Sequence, residues 1–253
     1  MDVWQFLILG LLGLFGGTLS GLVGIGGAAV FVPALLYVAG WDIHEAVGAS
    51  LVITVFTALS GTLRGIRSED SVSWRTFALL SSVVAPSTLV GVAISRYSPE
   101  SFVQIVFAAF LFFLAYPTAR GPSRPSGGAR KLHPALVFGG GIGIGILAGL
   151  TGIGGAALMI PLMVFGFGLG FKTAIATSLA VNFLTGLAGS AGYLAAGLVD
   201  LASLPTLIAG AVLGAWVGVS IRDRLPEIVL RRGFALIMVV VAIRLMLDAA
   251  VGS

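Results

Sequence analysis

The chain has 253 residues, of which 58% are hydrophobic and only 9% are charged, and its mean hydropathy is +1.10. These proportions exclude a soluble globular domain and indicate an integral membrane protein. The net charge of +4 does not indicate nucleic-acid binding, because the basic residues lie in short joints between apolar runs, where they are typical of residues that set membrane topology.

The first half is predicted to contain five helical elements. The first run is long enough to cross a bilayer, and without a basic start it is interpreted as structure rather than a signal peptide. It ends at a glycine cluster, and the second run is short and contains Pro33, which is expected to break or kink a helix. The five runs are 3–22, 28–39, 46–63, 74–94 and 101–116.

A polar stretch, 118–134, carries four basic residues among several prolines, glycines and serines, which is typical of a linker. It divides the chain into a first membrane repeat, 1–117, and a second, 135–253. The second half follows the same order, with Pro161 in its short second run. Its five runs are 135–150, 156–167, 173–194, 201–220 and 228–247.

The two halves are predicted to be copies of one unit. The segment 21–33 is echoed by 149–161, and the same offset of 128 positions relates Ser50 to Ser178. After a slip of one residue, later positions still correspond, so the match runs through all five elements. Such a period indicates an internal duplication.

The basic residues predict how the halves are oriented. If the joint 64–75 is cytoplasmic, the central linker, Lys172 and the basic residues of 222–232 lie on the same side, and only Arg96 and Arg244 face outward. Five elements per half then place the two repeats in opposite orientations, whether the short elements cross or re-enter. We therefore expect an all-α polytopic protein of the inner membrane with two inverted-topology repeats, broken or re-entrant helices at the glycine clusters, and both termini outside.

The two glycine clusters, here called the first elbow (residues 24–27) and the second elbow (residues 152–155), are the predicted ligand site. Glycine lets the backbone approach a ligand closely, and the short helix that follows presents free N–H groups and a positive dipole end, which suit an anion. The alternative, helix packing, is assigned to the glycines at regular four-residue spacing before each elbow. The predicted elbow contacts are Gly24, Gly26, Gly27, Ala28, Gly152, Gly154, Gly155 and Ala156.

Polar side chains on the third elements are predicted to complete this site. Spacings of three and four residues put them on one helix face. The alternative is that their hydroxyls bond back to their own helix, which an asparagine cannot do as easily, so Asn182 is the strongest candidate. The candidates are Ser50, Thr54, Ser178, Asn182 and Thr185.

The sequence contains few residues that could support proton coupling, catalysis or metal binding. Lys172 and His44 begin the third elements, where an interfacial position explains them, although Lys172 could also attract anions and His44 could take part in proton coupling. No Asp, Glu or His lies in the middle of a run, and there is no cysteine, P-loop or zinc motif. We therefore expect no enzymatic activity, no cofactor and no metal.

These features resemble the sulfite exporter TauE/SafE (TSUP) family of membrane permeases. The resemblance implies transport of a small anion such as sulfite, an organosulfonate (sulfoacetate, for example) or a short carboxylate by alternating access. A passive anion channel and a non-transporting anion sensor remain alternatives, and the glycine-rich surfaces would also suit a homodimer. The resemblance rests on Gly21-x-x-Gly24-Ile25-Gly26-Gly27 with Pro33, on Gly149-x-x-Gly152-Ile153-Gly154-Gly155 with Pro161, on 46–50 and 174–178, and on the basic linker.

Overall fold

The structure, a computed structural model, describes most of the chain. The first elbow, and with it the predicted contacts Gly24, Gly26 and Gly27, lies outside the described residues, as does the linker from 121 to 133. The described residues are 3–23, 28–67, 72–120, 134–152, 154–199, 201, 204–222 and 227–251.

Every predicted element is a helix, and no strand occurs in the described ranges. The predicted ends agree with the observed ends to within four residues. The last helix of the first half includes the first three residues of the predicted linker. The helices are α1 (Val3–Val23), α2 (Ala28–Tyr37), α3 (Ile43–Arg67), α4 (Trp74–Tyr97), α5 (Glu100–Arg120), α6 (Pro134–Thr151), α7 (Ala156–Phe167), α8 (Phe171–Ala195), α9 (Leu204–Arg222) and α10 (Glu227–Val251).

Of the two effects predicted for proline, a break or a kink, the break does not occur in the short helices. Helix α2 continues past Pro33 to Tyr37, and α7 continues past Pro161 to Phe167. A proline removes one backbone hydrogen bond from a helix. Neighbouring helices can accommodate that loss in a membrane protein. The helices are therefore short because glycine and loop segments bound them, not because proline interrupts them.

Within the described residues, three helical segments are long and apolar enough to cross a bilayer: Ile43–Ser60, Trp74–Tyr97 and Thr173–Ala195. Shorter apolar segments occur in α1, α5, α6 and α9. Length and composition therefore agree with the predicted polytopic helical membrane protein.

The helices of the two halves interlock rather than forming separate bundles. Helix α1 packs along α9 and α6 packs along α4, while α5 packs on α10 and α3 on α8. A Cβ at Gly17 would overlap the backbone of Ala211, and one at Gly149 would overlap the backbone of Thr88. These contacts confirm that regularly spaced glycines before the elbows serve close helix packing.

Helices α3 and α8 form the centre of the molecule. Their backbones approach closely, since a Cβ at Gly186 of α8 would lie 3.3 Å from the carbonyl oxygen of Leu51. Leu51, Ile53 and Val181 are completely buried around this crossing. The crossing holds the polar faces of both helices inside the protein, next to the second elbow.

Candidate functional site

The second elbow turns the chain from α6 into α7. Helix α6 ends where the Gly152 N–H donates to the Ala148 carbonyl at 2.9 Å. Gly152, Gly154 and Gly155 then have φ angles of +74°, +72° and +74°. Residues with a Cβ rarely adopt this left-handed conformation, so the turn requires glycine. All three glycines are buried, so the elbow lies inside the protein rather than in lipid or solvent.

The elbow leaves backbone donors at the start of α7. The first hydrogen bonds of this helix run from the N–H groups of Leu158 and Met159 to the Gly155 carbonyl, at 3.1 and 3.0 Å. The N–H groups of Ala156 and Ala157 therefore have no acceptor within the helix. Together with the helix dipole, these donors make the end of α7 favourable for an anion.

Helices α3 and α8 both reach this elbow. The Ser50 hydroxyl lies 2.7 Å from the Val47 carbonyl oxygen of its own helix and 3.2 Å from the carbonyl oxygen of Gly152. A Cβ at Gly154 would lie 3.2 Å from the Thr54 methyl carbon and 3.3 Å from the Asn182 side-chain oxygen. The structure thus brings together the second elbow, one polar face from the first half and Asn182 from the second half.

Asn182 has an unusual environment. Its side chain is completely buried, yet neither its amide oxygen nor its amide nitrogen has a hydrogen-bond partner in the described structure. Leaving a buried polar group unpaired costs about 1–3 kcal/mol, and most such groups in native proteins are paired. The amide has two N–H donors and one acceptor available to a ligand at the elbow.

The hydroxyls on these faces bond back to their own helices. Thr54 donates to Ser50 O at 2.8 Å, Ser178 to Ile175 O at 2.8 Å and Thr185 to Val181 O at 3.0 Å. This is the alternative that the sequence left open for them. With the hydroxyl hydrogens used in this way, the donors that remain at the second elbow are the Asn182 amide and the backbone N–H groups at the start of α7.

The other described residues of the predicted site lie on α8 or at the starts of the two short helices. Ser178 and Thr185 are buried on α8 one turn to either side of Asn182. Ala28 and Ala156 are the first residues of the short helices α2 and α7, as predicted from the sequence.

Sequence reasoning missed a second buried polar group, centred on Tyr193. The Tyr193 hydroxyl lies 2.8 Å from Ser95 Oγ and 3.0 Å from the Gly149 carbonyl oxygen, and it links α8 to α4 and α6. His44 Nε2 lies 3.0 Å from the Ser95 carbonyl oxygen. The only sequence signal for this group, here called the Tyr193 cluster, is a single tyrosine in a stretch of glycine and alanine.

His44 is less exposed than its position at a run end suggested. Its side chain is 12% exposed, and Nδ1 lies 3.1 Å from an Asp42 carboxylate oxygen. Burial by itself would raise the pKa of Asp42, but hydrogen bonds from the Glu100 side chain and the His44 backbone outweigh burial and hold this pKa below its ordinary value. His44 therefore joins the Tyr193 cluster next to the end of α4.

The side chains that meet at the second elbow carry no formal charge, and among the described residues no group of three His, Asp or Glu side chains could hold a metal ion. The described residues of this site offer a ligand neutral donors, backbone dipoles and shape. Membrane-spanning helices around a buried site at the N-terminal end of a short helix are typical of the class of polytopic membrane transport proteins.

Comparison with known proteins agrees with this class. Residues 9–245 match the sulfite exporter TauE/SafE family, and the chain belongs to it. It is therefore a membrane transporter of the TauE/SafE type. No solved structure matches the chain significantly.

Curated relatives support the same conclusion. A probable membrane transporter protein of Haemophilus influenzae is 30% identical over 97% of this chain and all of its own length. The probable membrane transporter protein YunE of Bacillus subtilis is 26% identical over 87% of this chain and 90% of its own.

Proposed function

We propose that the protein is a secondary transporter of small oxyanions, namely sulfite, organosulfonates such as sulfoacetate or short carboxylates. The observation that carries this proposal is the buried Asn182 amide, which has no partner in the described structure and lies beside Gly154 at the N-terminal end of α7. An oxyanion would accept hydrogen bonds from the amide and from the backbone N–H groups, so it would remove the cost of the unpaired group.

The lack of charge at the elbow favours a transported ligand over a permanently bound one. A buried cation paired with an anion would bind it strongly, and strong binding slows release. Neutral donors bind an anion more weakly, while the partial positive charge of the helix end still selects its sign. Such a site suits repeated loading and unloading.

Inverted repeats and alternating access form the second part of the proposal. The packing of α1 on α9 has its counterpart in the packing of α6 on α4, which supports two copies of one unit related by a two-fold axis. Helices α3 and α8, one from each copy, meet at the site. Relative movement of the two repeats would open it alternately to each side of the inner membrane.

The proposed topology places both termini outside and the central linker in the cytoplasm. The chain contains no cysteine, so single cysteines added at residue 2, residue 126 and residue 253 can be labelled without background. A membrane-impermeant thiol reagent applied to intact cells should label positions 2 and 253 but not 126. The reverse pattern would overturn the orientation.

A coupling ion is not required for export. A membrane potential of 100 mV is worth about 2.3 kcal/mol per charge, or roughly a fiftyfold gradient of a monovalent anion. Export driven by the potential is therefore feasible, and protons or sodium ions would add to it.

Counterflow in proteoliposomes tests the proposed function. Exchange of labelled sulfite, sulfoacetate and a short carboxylate is measured with wild type, Asn182→Ala and Thr62→Val. Thr62 is the control because it lies away from the elbow and its hydroxyl donates to Ala58 O of its own helix at 2.8 Å. Saturable exchange that fails in Asn182→Ala and persists in Thr62→Val is expected. Conductance without saturation would indicate a channel, and anion binding without flux would indicate a sensor.

A further inference from the structure

We propose that a groove between the ends of α4 and α8 binds a membrane phospholipid, with its phosphate on Arg96 and one acyl chain along the apolar wall. The groove has a volume of about 220 Å³. Leu89, Val92, Ala93, Arg96 and Tyr97 line it on α4, and small residues line it on α8. This site is separate from the elbow, and its occupation does not depend on what the protein transports.

The depth of the groove matches a lipid. Helix α4 has an exposed aromatic residue at each end, Trp74 and Tyr97, which is typical of the two membrane–water interfaces. Arg96 therefore lies at headgroup level. Leu89 precedes Arg96 by seven residues, or about 10 Å along the helix axis, so the apolar part of the groove lies at the depth of the acyl chains.

The groove exists because α8 has glycine where it faces α4. A Cβ at Gly192 would lie 3.1 Å from Val92 Cγ1 and 3.4 Å from Leu89 Cδ2. Val92 is 4% exposed and forms the floor, whereas Leu89 is 47% exposed and forms an outer wall. The result is a narrow apolar channel that is open toward the lipid.

Arg96, at the mouth of the groove, has no acidic partner in the described part of the chain. Within the described residues, Arg96 forms no ion pair, and its guanidinium lies 5.6 Å from the centre of the Tyr97 ring. Arg244, the other basic residue predicted to face outward, lies 4.0 Å from an Asp248 carboxylate oxygen and over the Tyr37 ring. Arg96 can therefore accept an anion, and a guanidinium matches phosphate with two parallel hydrogen bonds.

Apolar walls distinguish a lipid from a soluble anion. Inorganic phosphate would contact only Arg96 and would leave the channel from Leu89 to Ala93 unused. A phospholipid fills both parts, because its acyl chain covers the apolar wall while its phosphate pairs with the guanidinium.

Native mass spectrometry of the detergent-purified full-length protein tests this site. Phosphatidylglycerol is compared with diacylglycerol of the same chains, which lacks the phosphate. Wild type is expected to retain phosphatidylglycerol in preference to diacylglycerol, and Arg96→Gln should reduce that retention about tenfold, as expected for the loss of a hydrogen bond to a charged group. Arg244→Gln is the matched control and should leave retention unchanged.

The shape of the groove is tested separately. Gly192→Leu fills it and should lower retention by a similar factor. If this variant does not fold, Ala93→Phe fills the groove from the exposed side of α4. Unchanged retention in the filled variant or in Arg96→Gln would overturn the proposal, as would equal retention of diacylglycerol. Displacement of the lipid by millimolar inorganic phosphate would assign Arg96 to a soluble anion instead.

Discussion

Two buried polar groups of residues join the helices of this transporter, and they differ in whether their hydrogen bonds are complete. In the Tyr193 cluster, the tyrosine hydroxyl, Ser95 and His44 all have partners between 2.8 and 3.0 Å away. At the second elbow, the equally buried Asn182 amide has no partner in the described structure. Tyr193, Ser95 and Asn182 are all completely buried, so burial alone does not explain the difference.

The comparison separates two uses of buried polarity. A complete network stabilises one arrangement of helices, because every member would be left unpaired in any other arrangement. A network with an unpaired member lowers the free energy of unfolding by about 1–3 kcal/mol until a ligand pairs with that member. We therefore interpret the Tyr193 cluster as structural and the elbow as functional, and the following variants test that division.

The largest effect is expected for Asn182→Ala. It removes the side-chain donors that we propose bind the anion, and a hydrogen bond to a charged group is worth about 1.5–3 kcal/mol, so counterflow at low sulfite or sulfoacetate concentration should fall roughly 10- to 100-fold. Asn182→Leu, which keeps the branched arrangement of side-chain heavy atoms but has no polar atom, should show the same loss while thermal unfolding in detergent occurs at an equal or higher temperature. A large drop in stability with normal counterflow would make Asn182 a structural residue.

A second effect is expected at the elbow backbone. Gly154 has a left-handed backbone conformation, and Gly154→Ala places a Cβ 3.3 Å from the Asn182 side-chain oxygen. Counterflow should fall about tenfold because the Asn182 amide is displaced from its productive position.

The matched control is Gly197→Ala. Gly197 has φ +70°, but nothing lies within 4 Å of the added Cβ. Both variants carry a similar backbone strain of about 1–2 kcal/mol. Only the first should lose counterflow; an equal loss in both would assign the effect to backbone strain.

Tyr193→Phe should do the opposite of Asn182→Leu. It removes the hydroxyl that bridges Ser95 and Gly149, so the free energy of unfolding should fall by about 1–2 kcal/mol. Counterflow per folded molecule should stay within a factor of two of wild type. Loss of counterflow without loss of stability would place the Tyr193 cluster in the transport mechanism.

The smallest effect is expected for Thr185→Val, since the Thr185 hydroxyl donates to the Val181 carbonyl of its own helix. This carbonyl keeps its intrahelical bond, so unfolding should change by less than about 1 kcal/mol and counterflow by less than twofold. A tenfold loss of counterflow would show that this hydroxyl contacts the anion after all.

Much of this architecture follows from the order of residues alone. Runs of apolar residues long enough to cross a bilayer are expected to be helices, because a helix satisfies its backbone hydrogen bonds within one segment. The helix starts at Ala28 and Ala156 were also predictable, because a glycine cluster ends one helix and the next helix begins directly after it. The copy of 21–33 at 149–161 also marked the elbows, and the exceptional amide of Asn182 was visible by comparison with Thr54 at the equivalent position.

The tertiary structure decided which polar groups are satisfied. Whether a hydroxyl bonds its own helix depends on a side-chain rotation that spacing does not reveal, and the partners of Tyr193 lie 98 and 44 residues away in the chain. Proline did not end α2 or α7, because its effect depends on the surrounding helices. Helix periodicity and hydropathy are local properties, whereas hydrogen-bond completeness is a property of the packed interior, and here it is the reason for proposing the elbow rather than the Tyr193 cluster as the binding site.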